Sequence, residues 1–589
     1  MAANRANMRA LMPPFLRSGF GRAGAVRGDQ APRPAAKVLG GTIRDMAFRP
    51  FGRFLIIGIL LCTPFIAWFI AEQVQPPVKR VALSWTSPLL GRDIRVEALY
   101  PPHKAGQQKT VVYIQGVTVP GVLPDQGAIS TFLNRGFMVL TIDYEDDQKA
   151  VPPELEKDLH RFYRAIMDRE GVLSGLPVRP HFARVFFVPE GFRIEEDLSY
   201  FHLLEHAPSR LADYIVETFN EHVAPNADLK PVSDVSQLRD RSGRHLDFNL
   251  RMDVIYPARV ATPVPVIMVN SELPNRPPSL SHKQDKWHGI GIPLRGYAYA
   301  VVDHPYNPVW RAYWNYFKKY SLNGFIGPHT ATASVRTIRA HAARFNIDPR
   351  YVGIIGHSKG QYGVTRLSDR NHPNESEYDP AYRDGWPDQP YPNESSQITV
   401  GYQSMGWGLY VGAPFIDDPD YAPTYLAQGE DDPHLNRYRM FRDHLVALDI
   451  NLFSQVLEGI GHALPQGIDP EDGADEYLRF WSFFDSYLRP ELPPVLLDIT
   501  PELGLHFAPP IDPSSLDAIT VYQNGRAIPG EWTIKRQGAL LVFDQPLPPD
   551  CSIEIRPTLR DTDGTAYGKT ANLPCTRRGV TFDFMSARN

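Results

Sequence analysis

The sequence predicts an α/β protein. Its centre is a doubly wound, mostly parallel sheet, preceded by a partial α/β repeat and followed by an all-β sandwich. Three observations predict it. Apolar β-branched runs alternate with amphipathic helical stretches between residues 91 and 488, the pattern of a parallel sheet covered on both faces. Part of that pattern occurs twice. Beyond the proline-rich "RPELPPVLLDITP" (489–501), short strands split by turns replace the helices, as in a β-sandwich.

The elements before the sheet come first. A chain of 589 residues is too long for one core, and 43% apolar with 22% charged residues is globular in composition. The net charge of −5 is uneven. Residues 1–53 hold ten Lys/Arg against Asp29 and Asp45, a surplus of eight, which leaves −13 for the rest. No basic patch follows the N-terminus, so no nucleic-acid partner is expected. "FLIIGILLCTPFIAWFIA" (54–71) carries no charge and is long enough to span a bilayer core. Phe69 and Ala71 make a poor signal-cleavage site, so this run is expected to be a single uncleaved transmembrane helix. The preceding arginines put their side in the cytoplasm, and everything after residue 72 outside.

The repeat comes next. "GRDIRVEALYPP" (91–102) is echoed by "GRHLDFNLRMDVIYPA" (243–258), "KTVVYIQG" (109–116) by "VPVIMVNS" (264–271), and "NRGFMVLTIDY" (134–144) by "LRGYAYAVVDH" (294–304). Each set reads as a strand, a buried strand, then a helix ending in Arg-Gly-aromatic before another buried strand. The first copy continues to "ARVFFVPEGF" (183–192), then enters a charged stretch read as helical. The second continues through a helix over 332–350, closed by Asp348-Pro349, into "VGIIGHSKGQYG" (352–363). The expected units are a basic segment 1–53, an anchor 54–71, an incomplete α/β domain 80–240, a catalytic α/β domain 241–490 and a β-sandwich 491–589.

The second copy carries the chemistry. A strand that stops at Ser358 between Gly356 and Gly360 fits a nucleophile elbow, in which a strained strand-to-helix turn presents the hydroxyl. A serine needs a base, and the base an orienting acid. After the strand 424–428 comes "GEDDPH", with Asp431 and Asp432; after 451–458 comes "GIGHALP", with His462. The order Ser, Asp, His, each just past a strand, is that of doubly wound hydrolases. Where the second copy has Gly-His-Ser-Lys-Gly, the first has Pro-Glu-Gly around Glu190, so it is expected to hold no nucleophile.

Residues 243–490 resemble an α/β-hydrolase through "GHSKG", "GEDDPH" and "GIGHALP". "GEDDPHL" is similar to the acid loop of the dienelactone-hydrolase and prolyl-oligopeptidase branches, where the aspartate precedes a proline. That likeness selects Asp432 over Asp431. It also implies an oxyanion hole from the backbone N–H of Lys359 and one after strand 266–270, for which Ser271 is the candidate. No cofactor and no metal are expected. Residues 494–576 resemble a bacterial Ig-like module through "FAPPIDPSSLDAITVYQNG" and "LRDTDGTAYG", a module suited to holding a surface or polymer. Cys551 and Cys575 would lie in an oxidising compartment and allow one disulfide; two unrelated thiols are the alternative. Cys62 sits in the anchor.

Two further signals stand beside these. "HLLEH" (202–206) matches an inverted zinc-protease pattern, but no third-ligand helix follows. The Tyr- and Trp-rich stretch 374–410 reads as a lid or pocket wall, or as a surface excursion packed by its own aromatics. The functional expectation is a serine hydrolase of carboxylic esters, small or polymeric, anchored in a bacterial inner membrane with its catalytic domain facing the periplasm. The alternatives are a peptidase or amidase with the same triad, and a non-catalytic surface or adhesion protein.

Overall fold

The computed structural model describes residues 78–575 apart from 102–108, 146–151, 169–175, 177–183, 207–208, 227, 240–242, 244, 271–288, 304–322, 371–389, 405–418, 463–473, 500–503 and 546–549. The basic segment and the apolar run 54–71 lie outside the described residues. Among those described, no helix is long and apolar enough to cross a membrane.

The first sheet is built from β1 (Lys79–Ser87), β2 (Arg92–Tyr100), β3 (Lys109–Gln115), β4 (Met138–Asp143) and β5 (Arg184–Pro189), in the order β1-β2-β4-β3-β5. The second holds β6 (Phe192–His202), β7 (Asn249–Pro257), β8 (Val264–Asn270), β9 (Ala298–Val302), β10 (Ile347–His357), β11 (Val400–Ser404), β12 (Thr424–Gly429) and β13 (Leu452–Leu457). Its order is β6-β7-β9-β8-β10-β11-β12-β13. Strand for strand, the first sheet pairs as the first five positions of the second. In both, the second strand is antiparallel to its two neighbours and the remaining pairs are parallel.

The likeness extends to the turns. Helix α1 (Ala128–Asn134) ends in Arg135-Gly136-Phe137, and the helical turn Gly291–Leu294 ends in Arg295-Gly296-Tyr297. Gly136 and Gly296 have φ of 83° and 82°, a left-handed conformation that a side chain would disfavour. Phe137 N–H donates to Phe132 O, and Tyr297 N–H donates to Ile292 O, closing both helices alike.

Two elements differ from the sequence expectation. The stretch after Glu190 begins not with a helix but with β6, which is already the edge strand of the second sheet; the second sheet therefore starts at Phe192 rather than near 241. Bulges between Glu195 and Leu198 and between Ser199 and Phe201 break the period-two pattern, which hid the strand. Helix α4 (Asn323–Ala340) stops ten residues before the expected end at 350, and Ile347 already pairs with Val264. A register shift before Val352 accommodates Pro349 within β10.

Packing follows from the alternation of side chains along each strand. On one face of the first sheet, Val112, Ile114, Leu140 and Ile142 cover Leu155, Leu159, Phe162 and Ile166 of α2 (Pro152–Asp168). These helix residues are spaced by four, three and four, one apolar stripe. Truncating Leu159 would cost about 2–5 kcal/mol. One face of the second sheet packs Val266, Met268 and Ile354 with Ile215 of α3 (Ser209–Thr218), Val335 and Ile338 of α4, and Val364 of α5 (Gln361–Ser368). Helix α6 (Leu435–Ala447) lies on β12 and β13 through Tyr438, Phe441 and Leu445. Helix α7 (Ala474–Leu488) joins the opposite face, in a core that also contains Val111 and Phe186 of the first sheet.

A buried polar cluster fastens the halves. Tyr477 OH donates to Glu156 of α2. Arg295 Nη2 donates to Tyr477 OH at 3.2 Å, Arg295 Nη1 sits 3.5 Å from Asp485 Oδ2, and the guanidinium stacks over Trp481.

The C-terminal part is all-β. One antiparallel sheet holds β14 (Val495–Ile499), β15 (Gly504–Ala508), β18 (Trp532–Lys535) and β19 (Leu540–Phe543). The other holds β16 (Ile519–Gln523), β17 (Arg526–Ala527), β20 (Cys551–Ile555) and β21 (Ala571–Pro574). Asn524 and Gly525, both at positive φ, make the two-residue turn between β16 and β17. Cys551 and Cys575 form a disulfide. This part shares the apolar core of α7, and Arg536 Nη1 donates to Leu452 O of β13 at 2.8 Å.

Candidate active site

Strand β10 ends at His357, and the chain turns sharply into a short 3-10 turn (Ser358–Gly360) and then α5. Ser358 has φ of 50°, a conformation that costs a non-glycine residue about 1 kcal/mol or more. The glycines on either side make the turn possible. A Cβ on Gly356 would lie 2.6 Å from Gly360 O and from Val364, and one on Gly360 would run into Asn270 O at the end of β8.

Strands β12 and β13 deliver the partners. Ser358 Oγ lies 3.0 Å from His462 Nε2, and His462 Nδ1 lies 2.7 Å from Asp432 Oδ2. The Asp432 side chain is fully buried, whereas that of His462 is 37% exposed. Asp432 Oδ1 accepts from His434 N–H at 2.7 Å, so both carboxylate oxygens are occupied and the acid is held in one orientation. Asp431 is exposed, and its N–H donates to Ile460 O at 2.9 Å; its backbone ties the acid loop to the histidine loop. Gly429 permits that approach, since a Cβ there would meet Ile460 O, and Gly461 O at 2.6 Å.

Such a line of hydroxyl, imidazole and carboxylate can move a proton from Ser358 to His462 while Asp432 keeps Nδ1–H in place. Lys359 follows Ser358 in the turn, at the start of the helix. Ser271 directly follows β8 and lies outside the described residues.

Sequence reasoning missed two imidazoles here. The His462 ring stands 5.9 Å from that of His357 and 5.7 Å from that of His434. His434 is the last residue of "GEDDPH", two after the acid; the spacing was the available signal. His357 Nδ1 is 3.0 Å from Ser404 Oγ on the neighbouring strand.

Other candidates lie elsewhere. His202 belongs to β6 and His206 to a helical turn, and His206 Nδ1 accepts from His202 N–H at 2.8 Å; they do not share a helix as the zinc pattern requires. Of the aromatic stretch 374–410, Tyr402 is core, and Tyr391 packs against His341 on the surface. Its segments 374–389 and 405–410 lie outside the described residues. A cavity of about 500 Å³ opens at the far, N-terminal end of β8 and β10, beside Val264, Arg350 and Arg489, away from Ser358.

No protein-family model and no curated protein matches the chain. Among solved structures it is similar to esterase B from Lactobacillus rhamnosis, at 12% identity over 59% of this chain and 97% of that one, with a TM-score of 0.32. A truncated carbohydrate esterase from gut microbiota matches at 14% identity over 43% of this chain and 93% of that one, TM-score 0.29. A putative dienelactone hydrolase from Klebsiella pneumoniae matches at 15% identity over 41% and 94%, TM-score 0.27. These neighbours are esterases and hydrolases at low identity and partial coverage.

Proposed function

We propose that the chain is a serine hydrolase that cleaves carboxylic esters through an acyl-enzyme. One observation carries this reading: Ser358, His462 and Asp432 stand in one hydrogen-bonded line, at 3.0 and 2.7 Å, beyond the C-terminal ends of three parallel strands. Ser358 Oγ attacks the carbonyl carbon as its proton passes to His462 Nε2. Asp432 stabilises the resulting imidazolium. The oxyanion is received by the N–H of Lys359 and a second N–H beyond β8, for which Ser271 is the candidate; one such donor is worth about 3 kcal/mol. His462 then returns the proton to the leaving alkoxide. Water, deprotonated by His462, attacks the acyl group, and His462 returns that proton to Ser358 Oγ as the acid departs.

Esters are favoured over peptides for two reasons. An alkoxide leaves with less help from a general acid than an amide nitrogen. The elbow also departs from the peptidase branch, with Gln361 rather than a glycine after Gly360. Purified protein assayed on short-chain aryl esters and peptide anilides side by side should cleave the esters faster. Faster cleavage of the anilides would promote the peptidase reading.

The apolar run 54–71 supports a membrane anchor that holds this unit outside the cytoplasm. A reporter fused after residue 80 should be active only outside; activity confined to the cytoplasm would overturn that placement. The C-terminal sandwich, with its Ig-like sequence pattern, is read as an accessory module packed on the edge strand that leads to His462.

A further inference from the structure

Three imidazoles crowd the ends of β10, β12 and β13, and one of them has no assigned task. His462 is bonded to Ser358 and Asp432, and His357 to Ser404. His434 uses its backbone N–H on Asp432, while its half-buried ring stands edge-on to His462 at 5.7 Å. Its ring nitrogens make no hydrogen bond among the described residues. One nitrogen of His434, one of His462 and one oxygen of Asp432 all lie within 4.8 Å of one another. A tetrahedral zinc ion, with bonds of about 2.0–2.1 Å, holds its ligand atoms about 3.4 Å apart. The cluster thus needs only small side-chain movements, with the 2.7 Å Asp432–His462 contact opening slightly to admit the ion.

We propose that Asp432, His434 and His462 form a transition-metal site, best suited to Zn²⁺, whose occupation switches the hydrolase off. The shut-off rests on the triad reading of Ser358; the ion site does not. Two imidazoles and one carboxylate are a donor set for zinc and its neighbours, whereas Mg²⁺ and Ca²⁺ prefer oxygen alone. The exposed side of His462 leaves the fourth position to water and gives the ion a way in.

Asp432 faces the Nδ1 edge of His462 and Ser358 the Nε2 edge, so an ion shared with Asp432 takes Nδ1. The ring proton must then move to Nε2, which can only donate to Ser358 Oγ. The imidazole stays neutral, Ser358 keeps its proton and no external reactant is consumed.

The test separates ion binding from catalysis. Ser358→Ala protein keeps all three ligands, and its zinc affinity can be measured against a chromophoric chelator. It should bind one His434-dependent ion per chain. Adding His434→Asn, which keeps the backbone N–H, should weaken binding about ten-fold or more, the least expected when even an outer partner of a metal site is lost. With Ser358 present, zinc should slow fluorophosphonate labelling, and EDTA should restore it. His434→Asn should require about ten-fold more zinc for the same slowing, each protein being compared with its own metal-free rate. Zinc binding that is absent, or unchanged by His434→Asn, would overturn the site. Zinc bound through His434 with labelling unaffected would overturn the shut-off. A chain that binds zinc through His434 but never reacts with the probe would overturn the triad reading and the shut-off with it, leaving the ion site standing.

Discussion

Asp432 holds His462 from below: its Oδ2 lies 2.7 Å from Nδ1, on a carboxylate with no solvent exposure. Asp431, one residue earlier, is exposed and contributes its backbone N–H to the histidine loop. Asp432→Asn should therefore lower kcat/KM by about 10⁴-fold, because the amide favours the wrong imidazole tautomer. Asp431→Asn should stay within a few-fold of the parent. Steady-state kinetics on an aryl ester reads the difference, and equal losses would contradict the assignment of the acid.

Gly429 and Ile460 bring the acid and histidine loops together. A methyl group at Gly429 would strike Ile460 O and come within 2.6 Å of Gly461 O, pushing the histidine loop away from Ser358. A displacement of about 1 Å costs on the order of 100-fold in rate. Gly429→Ala should show that loss with a much smaller change in the unfolding midpoint. Full activity in this variant would mean that the loop contact does not position His462.

These loops were legible because each catalytic candidate follows a strand whose apolar run is unmistakable, such as "TYLAQ" before Asp432 and "NLFSQVLE" before His462. The repeated strand order was legible for the same reason, since the echoed segments became β2 and β7, β3 and β8, β4 and β9. Where periodicity is interrupted, the reading fails. The bulges of β6 shift its inward residues, and Pro349 lies inside a strand that a register shift makes tolerable. The ring of His434 beside His462 depends on the path of the acid loop; its place two residues after the acid hinted at that neighbourhood without fixing it.

His506 gives the molecule an acid-sensitive joint. It is buried against Phe453 of β13 at 5.0 Å, its Nε2 has no hydrogen-bond partner among the described residues, and burial with nearby Arg536 holds its pKa well below the usual 6.5. The folded state therefore binds fewer protons here than the unfolded chain. Stability rises with pH through this window and is lost progressively as pH falls below about 6.5. His506→Leu should be less acid-sensitive than the parent, the gap between their unfolding midpoints widening from pH 7 to pH 5. Parallel pH profiles would contradict the joint.

The Cys551–Cys575 disulfide closes a loop of 24 residues in sequence. A loop of that size stabilises a folded domain by about 3 kcal/mol in the chain-entropy account. Cys551→Ser with Cys575→Ser should lower the denaturant midpoint accordingly, and reductant should lower that of the parent but not of the double variant. If reductant leaves the parent unchanged, the two thiols are not joined in solution.

Every step proposed for this site depends on Ser358 being a nucleophile activated by His462. The most direct measurement is intact-mass and peptide-mass analysis after treatment with a fluorophosphonate. One adduct per chain is expected, on the peptide that contains Ser358, absent in Ser358→Ala and strongly slowed in His462→Ala. No adduct on the parent chain, or an adduct that survives Ser358→Ala, would overturn the assignment of Ser358 as nucleophile.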